Sequence, residues 1–435
     1  MLRTLTVTAT SLVVACGIVA CGIVACGTKQ STTPPVEPTP VVQVPAEPPQ
    51  VCDYLVFINA GSSGSRAYTY RVAVAEAGGL PTKIEQASAA RVEPGLSSFA
   101  AEPAKAAESI KGLLGAEGGV LASIPAACKE RTPVAVMATA GMRLLAGEPG
   151  GEAAANAIHG AVADEIKRSG LDLRFAGTIS GAQEALYAWM TANYALGRLQ
   201  GDAGTVGALD LGGASTQIAF EVAAAEAAGA PTLPVQLGGR TFNVYAQSYL
   251  GYGQDIAREH VAVDACYHRG LRKGTGKYAA CTKALAAVLK PRKCEAAHCG
   301  LAAPNDAAKP GVAQPPLPAG MKFYAVSAYY FAREFFKLPE HASVAQLREA
   351  AGGPKGTTGY CGLPWKTVGE TYPDVPEKFR EGFCFSAAWI DALLQTYGFT
   401  AESDPLIWVK SFGEVEADWT LGAALCSVTG CLAVK

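Results

Sequence analysis

An apolar run, Tyr54 to Ile58, ends at Asn59. It turns through Gly61-Ser62-Ser63-Gly64-Ser65-Arg66 and leaves as the alternating Ala67, Tyr68, Thr69 and Tyr70. The same order recurs at Val206 to Val222, where small and apolar residues reach Asp210. Gly212 and Gly213 then lead to Ser215 and Gln217, and Ile218, Phe220 and Val222 alternate with Ala219 and Glu221. A period-two exit after a glycine turn predicts a strand, a tight turn and a second strand. Asn59 falls on Asp210 and Gly61 on Gly212, the pattern of an internal duplication with two similar lobes. Consecutive N–H groups in such turns cradle an anion, glycine lets the ligand come close, and an acid just ahead suits a hard cation. Two such turns facing one cleft would grip a polyphosphate from both sides. The plainer reading is a pair of ordinary glycine hairpins.

The remaining pattern predicts alternating strands and helices. Ala101 to Leu114 is an amphipathic helix. Pro133 to Met137 is a short buried strand ending in Ala138-Thr139-Ala140-Gly141-Met142-Arg143. Arg143 suits either a phosphate or a structural acid. Glu152 to Arg168 is a helix stopped by Ser169-Gly170, and a strand follows from Asp172 to Ala176. In Thr178 to Gly197 a helical pattern puts Ala185, Leu186, Trp189 and Ala192 on a packing face and Glu184 in the first turn. An acid there ordinarily complements the helix dipole; it becomes a general base if the helix start faces the cleft. Ala223 to Gly238 and Ala302 to Gly320 read as loops. Phe323 to Phe336 reads as a short strand and an aromatic-rich helix.

Length and charge narrow the picture. A chain of 435 residues is expected to hold two domains. Net charge is −2, pI is near 6.3, and 17% of residues are charged, so no basic face emerges and nucleic acid is not an expected partner. Met1 to Cys26 carries one basic residue, Arg3, then an apolar run with Val-Ala-Cys repeats at Cys16, Cys21 and Cys26. That is an export signal whose end resembles a bacterial lipoprotein box, with the lipid expected on Cys26. A plain cleaved signal or a short anchor is the alternative. Residues 27–51 form a Thr- and Pro-rich tether. The chain is therefore expected to be exported and lipid-anchored to a bacterial membrane, facing the periplasm or the cell surface.

Of thirteen cysteines, three lie in the signal repeats and ten remain, an even number that implies disulfides behind an export signal. Short loops suggest Cys294–Cys299, Cys361–Cys384 and Cys426–Cys431, with Cys266–Cys281 and Cys52–Cys128 following by elimination. A zinc site at Cys281, Cys294, His298 and Cys299 is the alternative.

Five blocks in this order, INAGSSGSR, ATAGMRLL, ISGAQEALYAWMTANYALG, LDLGGASTQIAF and DWTLG, resemble the nucleoside triphosphate diphosphohydrolases, or ecto-apyrases. The resemblance runs from Cys52 to the C-terminus. It implies an α/β fold with two actin-like lobes of the ribonuclease-H type: residues 52–179 plus 413–435 as one lobe, 180–412 as the other. It implies hydrolysis of nucleoside tri- and diphosphates with Ca2+ or Mg2+. Glu184 would activate water, with Ser215 and Gln217 positioning it. Ser62, Ser63, Thr139, Gly213 and Ala214 would line the phosphates. Asp210 and Asn59 would hold the cation through water. Phe331, Phe383 and Arg380 would take the nucleobase.

Three positions depart from that family's pattern. Asn59 stands where it has Asp, Gln183 where it has an acid, and Ala185 where it has Gly. The loss at Asn59 leaves Asp210 as the sole expected carboxylate for the cation and predicts a raised cation requirement, relieved by Asn59→Asp. Two other functions suit the same residues: an exopolyphosphatase, which would want a basic channel, and a catalytically weakened nucleotide-binding surface protein.

Overall fold

The structure, a computed structural model, describes residues 51–73, 79–115, 118–223, 231–289, 312–400 and 406–431. The signal, most of the tether, and Cys294, His298 and Cys299 lie outside these residues. Two sheets organise the chain. The first is built from β1 (Tyr54–Ala60), β2 (Ser65–Ala73), β3 (Lys83–Val92), β4 (Pro133–Ala138) and β5 (Asp172–Thr178), in the order β3-β2-β1-β4-β5. The second comprises β6 (Gly207–Leu211), β7 (Ser215–Glu221), β8 (Thr232–Leu237), β9 (Arg240–Leu250), β10 (Phe323–Ser327), β11 (His341–Ala342) and β12 (Leu406–Trp408). Its order is β11-β12-β10-β6-β7-β9-β8. Stripped of the edge strands β11 and β8, it repeats the first sheet strand for strand. An antiparallel hairpin (β1–β2 or β6–β7) extends to a third antiparallel strand on one side and to two parallel strands on the other. The two copies of the sequence pattern are therefore the first hairpins of two like-ordered sheets.

Alternation along β1 and β6 sends side chains to two different cores. Val56 and Ile58 join Val134 and Val136 beneath Ile110, Leu113, Ile158 and Val162 of the helices Pro103–Leu114 and Gly151–Arg168. Leu209 and Leu211 join Ile218 and Phe220 against Tyr329, Phe385, Trp389 and Leu393 on the far side of the second sheet. Phe57, Tyr68 and Tyr70 on one sheet and Ala208, Ala219 and Phe242 on the other share a third core. Leu186, Trp189 and Met190 of the helix Gly181–Ala195 and Leu421 and Leu425 of the helix Thr420–Thr429 fill it. A helix packed on several sides is expected to be apolar around most of its circumference. Gly181–Ala195 accordingly buries nine of its residues, one of them Glu184.

Disulfides join Cys361–Cys384 and Cys426–Cys431, as loop length suggests, and Cys52–Cys128 and Cys266–Cys281, as elimination suggests. Cys281 is thus bonded to Cys266 and does not belong to a zinc site. The stretch Ala223 to Gly238 is not wholly a loop: Thr232–Leu237 is the edge strand β8, paired with β9. Among the described residues no helix is long and apolar enough to cross a membrane.

Candidate active site

The two glycine turns face each other across a cavity of about 810 Å³ lined by both of them, the start of the helix Gly181–Ala195 and the helix Glu377–Tyr397. That size suits a nucleotide-sized ligand. A methyl group added at Gly213 would lie 2.9 Å from the Ser62 hydroxyl and 2.6 Å from an Asp255 carboxylate oxygen, so this glycine is what lets the turns close up. Three consecutive carbonyls of the second turn are taken up by backbone donors. Gly212 accepts from the Gln254 N–H, Gly213 from Asp255 and Ile256, and Ala214 from Gly251. With its carbonyls occupied, the turn has N–H groups rather than carbonyls to offer a ligand, the polarity an anion cradle needs. Ser62, Ser63, Thr139, Gly213 and Ala214 all line this space, as do Asn59, Glu184, Asp210, Ser215 and Gln217.

Glu184 enters the site because its helix starts there. Ser180 caps the helix, its hydroxyl accepting from the Gln183 N–H at 3.2 Å, while the Gln183 side-chain oxygen accepts from the Ser180 N–H at 2.9 Å. A glutamine completes this reciprocal cap as well as an acid does, which accounts for the exchange at position 183. Gly181 permits close approach to β9, since a methyl group there would lie 2.5 Å from the Ser248 Cβ. Glu184 is 6% exposed, and an Arg143 guanidinium nitrogen donates to its carboxylate at 2.7 Å. Arg143 also donates to the Ile179 carbonyl, so its acid is the candidate base itself. Burial pushes the Glu184 carboxyl above the usual range; Arg143 opposes the shift and the Asp418 charge adds to it. On β7 the Gln217 amide donates to the Ser215 hydroxyl at 2.7 Å and to Ser248 at 2.9 Å. Both amide hydrogens are then committed, which leaves the Gln217 carbonyl oxygen as its free group, an acceptor.

Asp210 lies opposite Gln217 in the β6–β7 pairing. Its pKa is raised to about 7, chiefly by burial and also by the charges of Glu184 and Asp418, against a hydrogen bond from Ser327 and the charge of Arg66, which lower it. One Asp210 oxygen, Oδ1, is buried with no hydrogen-bond partner. A buried orphan carboxylate oxygen among oxygen-bearing neighbours suits a hard cation such as Ca2+ or Mg2+. Ser327, at the end of β10, has a φ of 59°, a strained value for a non-glycine residue and one often met at functional sites. Asn59 donates to an Asp418 carboxylate oxygen at 2.9 Å. Asp210 is therefore not the sole carboxylate beside the turns.

The aromatic residues divide. Phe331 is 49% exposed and lines the cavity. Phe383 also lines it, half-buried, with its ring stacked on Phe335 at 3.8 Å. Phe379, not anticipated, forms part of the same wall. Arg380 does not reach this wall: its guanidinium donates to the Gly369 and Tyr372 carbonyls and lies over the Trp365 ring. One helical turn separates Phe383 from Phe379, whereas Arg380 points to another side of that helix.

Asp418, Ser327 and Ser248, like Phe379, are residues at the site to which sequence reasoning gave no role. Asp418 had a signal, since the DWTLG block was recognisable, but no role attached to its acid. Ser327 and Ser248 carry no local signal.

Two like-ordered sheets with a glycine turn each, closing on a buried carboxylate, define a two-lobed enzyme built to hold a phosphate chain. The chain belongs to the GDA1/CD39 (nucleoside phosphatase) family, whose pattern it matches over residues 47–268 and 259–433. It is 30% identical to ectonucleoside triphosphate diphosphohydrolase 1 of Rattus norvegicus over 437 aligned positions, covering 87% of this chain and 81% of that one. Probable apyrase 6 of Arabidopsis thaliana is 29% identical, with 85% and 71% covered. The crystal structure of nucleoside triphosphate hydrolases from Neospora caninum shares the fold with a TM-score of 0.60 at 16% identity, covering 87% of this chain and 92% of that chain.

Proposed function

We propose that this protein is an exported apyrase that hydrolyses nucleoside tri- and diphosphates to the monophosphate and inorganic phosphate. The observation that carries the reading is the convergence on one cavity of Glu184, the Ser215–Gln217 pair and both glycine turns. The phosphate chain lies between the turns, with Ser62, Ser63 and Thr139 on one side and the N–H groups of Gly213 and Ala214 on the other. Glu184 takes a proton from the attacking water. Gln217, its amide hydrogens spent on Ser215 and Ser248, accepts from that water through its carbonyl oxygen, while the Ser215 hydroxyl hydrogen remains free to orient it. Water forms the new P–O bond in line with the bond to the leaving nucleotide oxygen, so no phosphoenzyme is needed. Arg143 holds the Glu184 carboxylate and acts as a positioning residue. A divalent cation, Ca2+ or Mg2+, held through water by Asp210 and the Asn59 carbonyl, supplies neutralisation of the phosphoryl charge when bound. Phe331 and Phe383 offer stacking faces for the base. Arg380, turned toward Trp365, has no part in this contact.

Four disulfides among the described residues support an oxidising compartment, and a lipid on Cys26 would tether the enzyme to its membrane. Phosphate release by the purified chain from ATP, ADP, UTP and inorganic polyphosphate tests the substrate class. The nucleotides are expected to be cleaved and polyphosphate left intact, because aromatic faces without a basic channel suit a base. Polyphosphate cleavage exceeding that of ATP would overturn the reading.

A further inference from the structure

Asp418 lies between a short hairpin, Ser411–Phe412 with Val415–Glu416, and the helix Thr420–Thr429. One carboxylate oxygen, Oδ1, accepts from the Thr420 N–H at 3.0 Å and from its hydroxyl at 2.8 Å, opening that helix. Oδ2 does something else: it accepts from the Asn59 amide at 2.9 Å, with the Tyr68 hydroxyl at 3.4 Å. The Tyr68 hydroxyl has a closer acceptor in Glu416 at 2.9 Å. The backbone around Asp418 is fixed to the helix that carries Glu184. Its carbonyl accepts from Thr191, the Thr191 oxygen accepts from the Gly422 N–H, and Trp419 stacks on Tyr187. Asp418 also borders a neighbouring cavity of about 400 Å³ that shares Arg66, Arg91, Ser327 and Phe331 with the main one.

The contact changes the meaning of Asn59. An aspartate in its place would set two carboxylate oxygens about 2.9 Å apart, a pair that cannot both stay ionised without a proton or a cation between them. Asn59 and Asp418 are matched: the amide donates to the carboxylate, and the negative charge missing at one end of the contact is present at the other. With its NH2 group turned to Asp418, Asn59 has its carbonyl oxygen left to accept.

Resting on the apyrase reading, we propose that Asp418 is a positioning carboxylate for the divalent cation, supplying from the C-terminal segment the outer charge absent at position 59 and orienting the Asn59 carbonyl. The first glycine turn therefore keeps a negative charge beside it, contributed by a different stretch of chain.

The test is a swap in the full chain: native, Asp418→Asn, Asn59→Asp and the double variant. Asparagine can still cap the C-terminal helix through its carbonyl oxygen, but its NH2 then faces the Asn59 NH2. Asp418→Asn thus removes both the charge and the acceptor for Asn59, and the double variant restores the donor–acceptor pair together with the charge. Calorimetry would measure how far Mn2+ tightens binding of a non-hydrolysable imido analogue of ATP, with thermal melts confirming that each variant is folded. Outer partners of a metal site typically contribute 10-fold or more in affinity. Asp418→Asn is expected to lower the Mn2+ tightening ~10-fold, and the double variant, with the charge moved to position 59, to recover to within ~3-fold of native. Tightening unchanged in a folded Asp418→Asn, or a double variant no better than the single one, would overturn the assignment. Failure of the native chain to bind the analogue at all would overturn the apyrase reading, and the assignment with it.

Discussion

A buried carboxylate next to an arginine usually becomes an inert ion pair, but Glu184 is held in a contest. Burial raises its pKa and Arg143 draws it back, which leaves it above the usual carboxylate range without losing its charge partner. As the proposed base, Glu184 works deprotonated, so the acid limb of the kcat/KM profile is expected above the ordinary carboxylate range. Arg143→Gln removes the opposing charge, so that limb should move to higher pH while the rate falls. A limb that stays in place would show that Arg143 does not set this carboxyl. Glu184, Ser215 and Gln217 were legible because each lies inside a contiguous block. Asp418 was not, because its partner Asn59 is 359 positions away and neither residue signals the other. Reading Asn59 as a lost charge counted one end of a two-residue contact. Arg380 misled for the opposite reason: it is close in sequence to Phe383 but lies on another side of the helix.

At the level of elements, the site depends on how near one helix start comes to one strand. Gly181 against Ser248 sets that distance, and the Ser180–Gln183 cap sets the direction. Gly181→Ala should push the helix start from β9 and shift Glu184 relative to Ser215. Misplacement on the order of 1 Å at a reacting group can cost ~100-fold, so kcat should fall by about that factor with KM little changed. An unchanged kcat would mean that β9 yields instead. Most elements could be read from periodicity, including the short strand and helix at Phe323 to Phe335. β8 could not. Pro234 interrupts its run, and proline is tolerated there because β8 is an edge strand with one side unpaired.

For the whole molecule, the duplicated hairpin predicts two similar lobes, and the two sheets share one strand order. What the repeat could not convey is the layer between them. The helices Gly181–Ala195 and Thr420–Thr429 fill a core shared by both sheets, so Glu184 and Asp418 ride on the same buried scaffold. Membership of the nucleoside phosphatase family agrees with that architecture. Whether Glu184 activates water for attack on a nucleotide held between the two turns is decided by Glu184→Gln. This variant keeps a hydrogen-bond acceptor for Arg143 and removes the base. Phosphate release from ATP should fall by ~10²- to 10⁴-fold while the affinity for a non-hydrolysable ATP analogue stays within a few-fold of native. Release at the native rate would contradict the account.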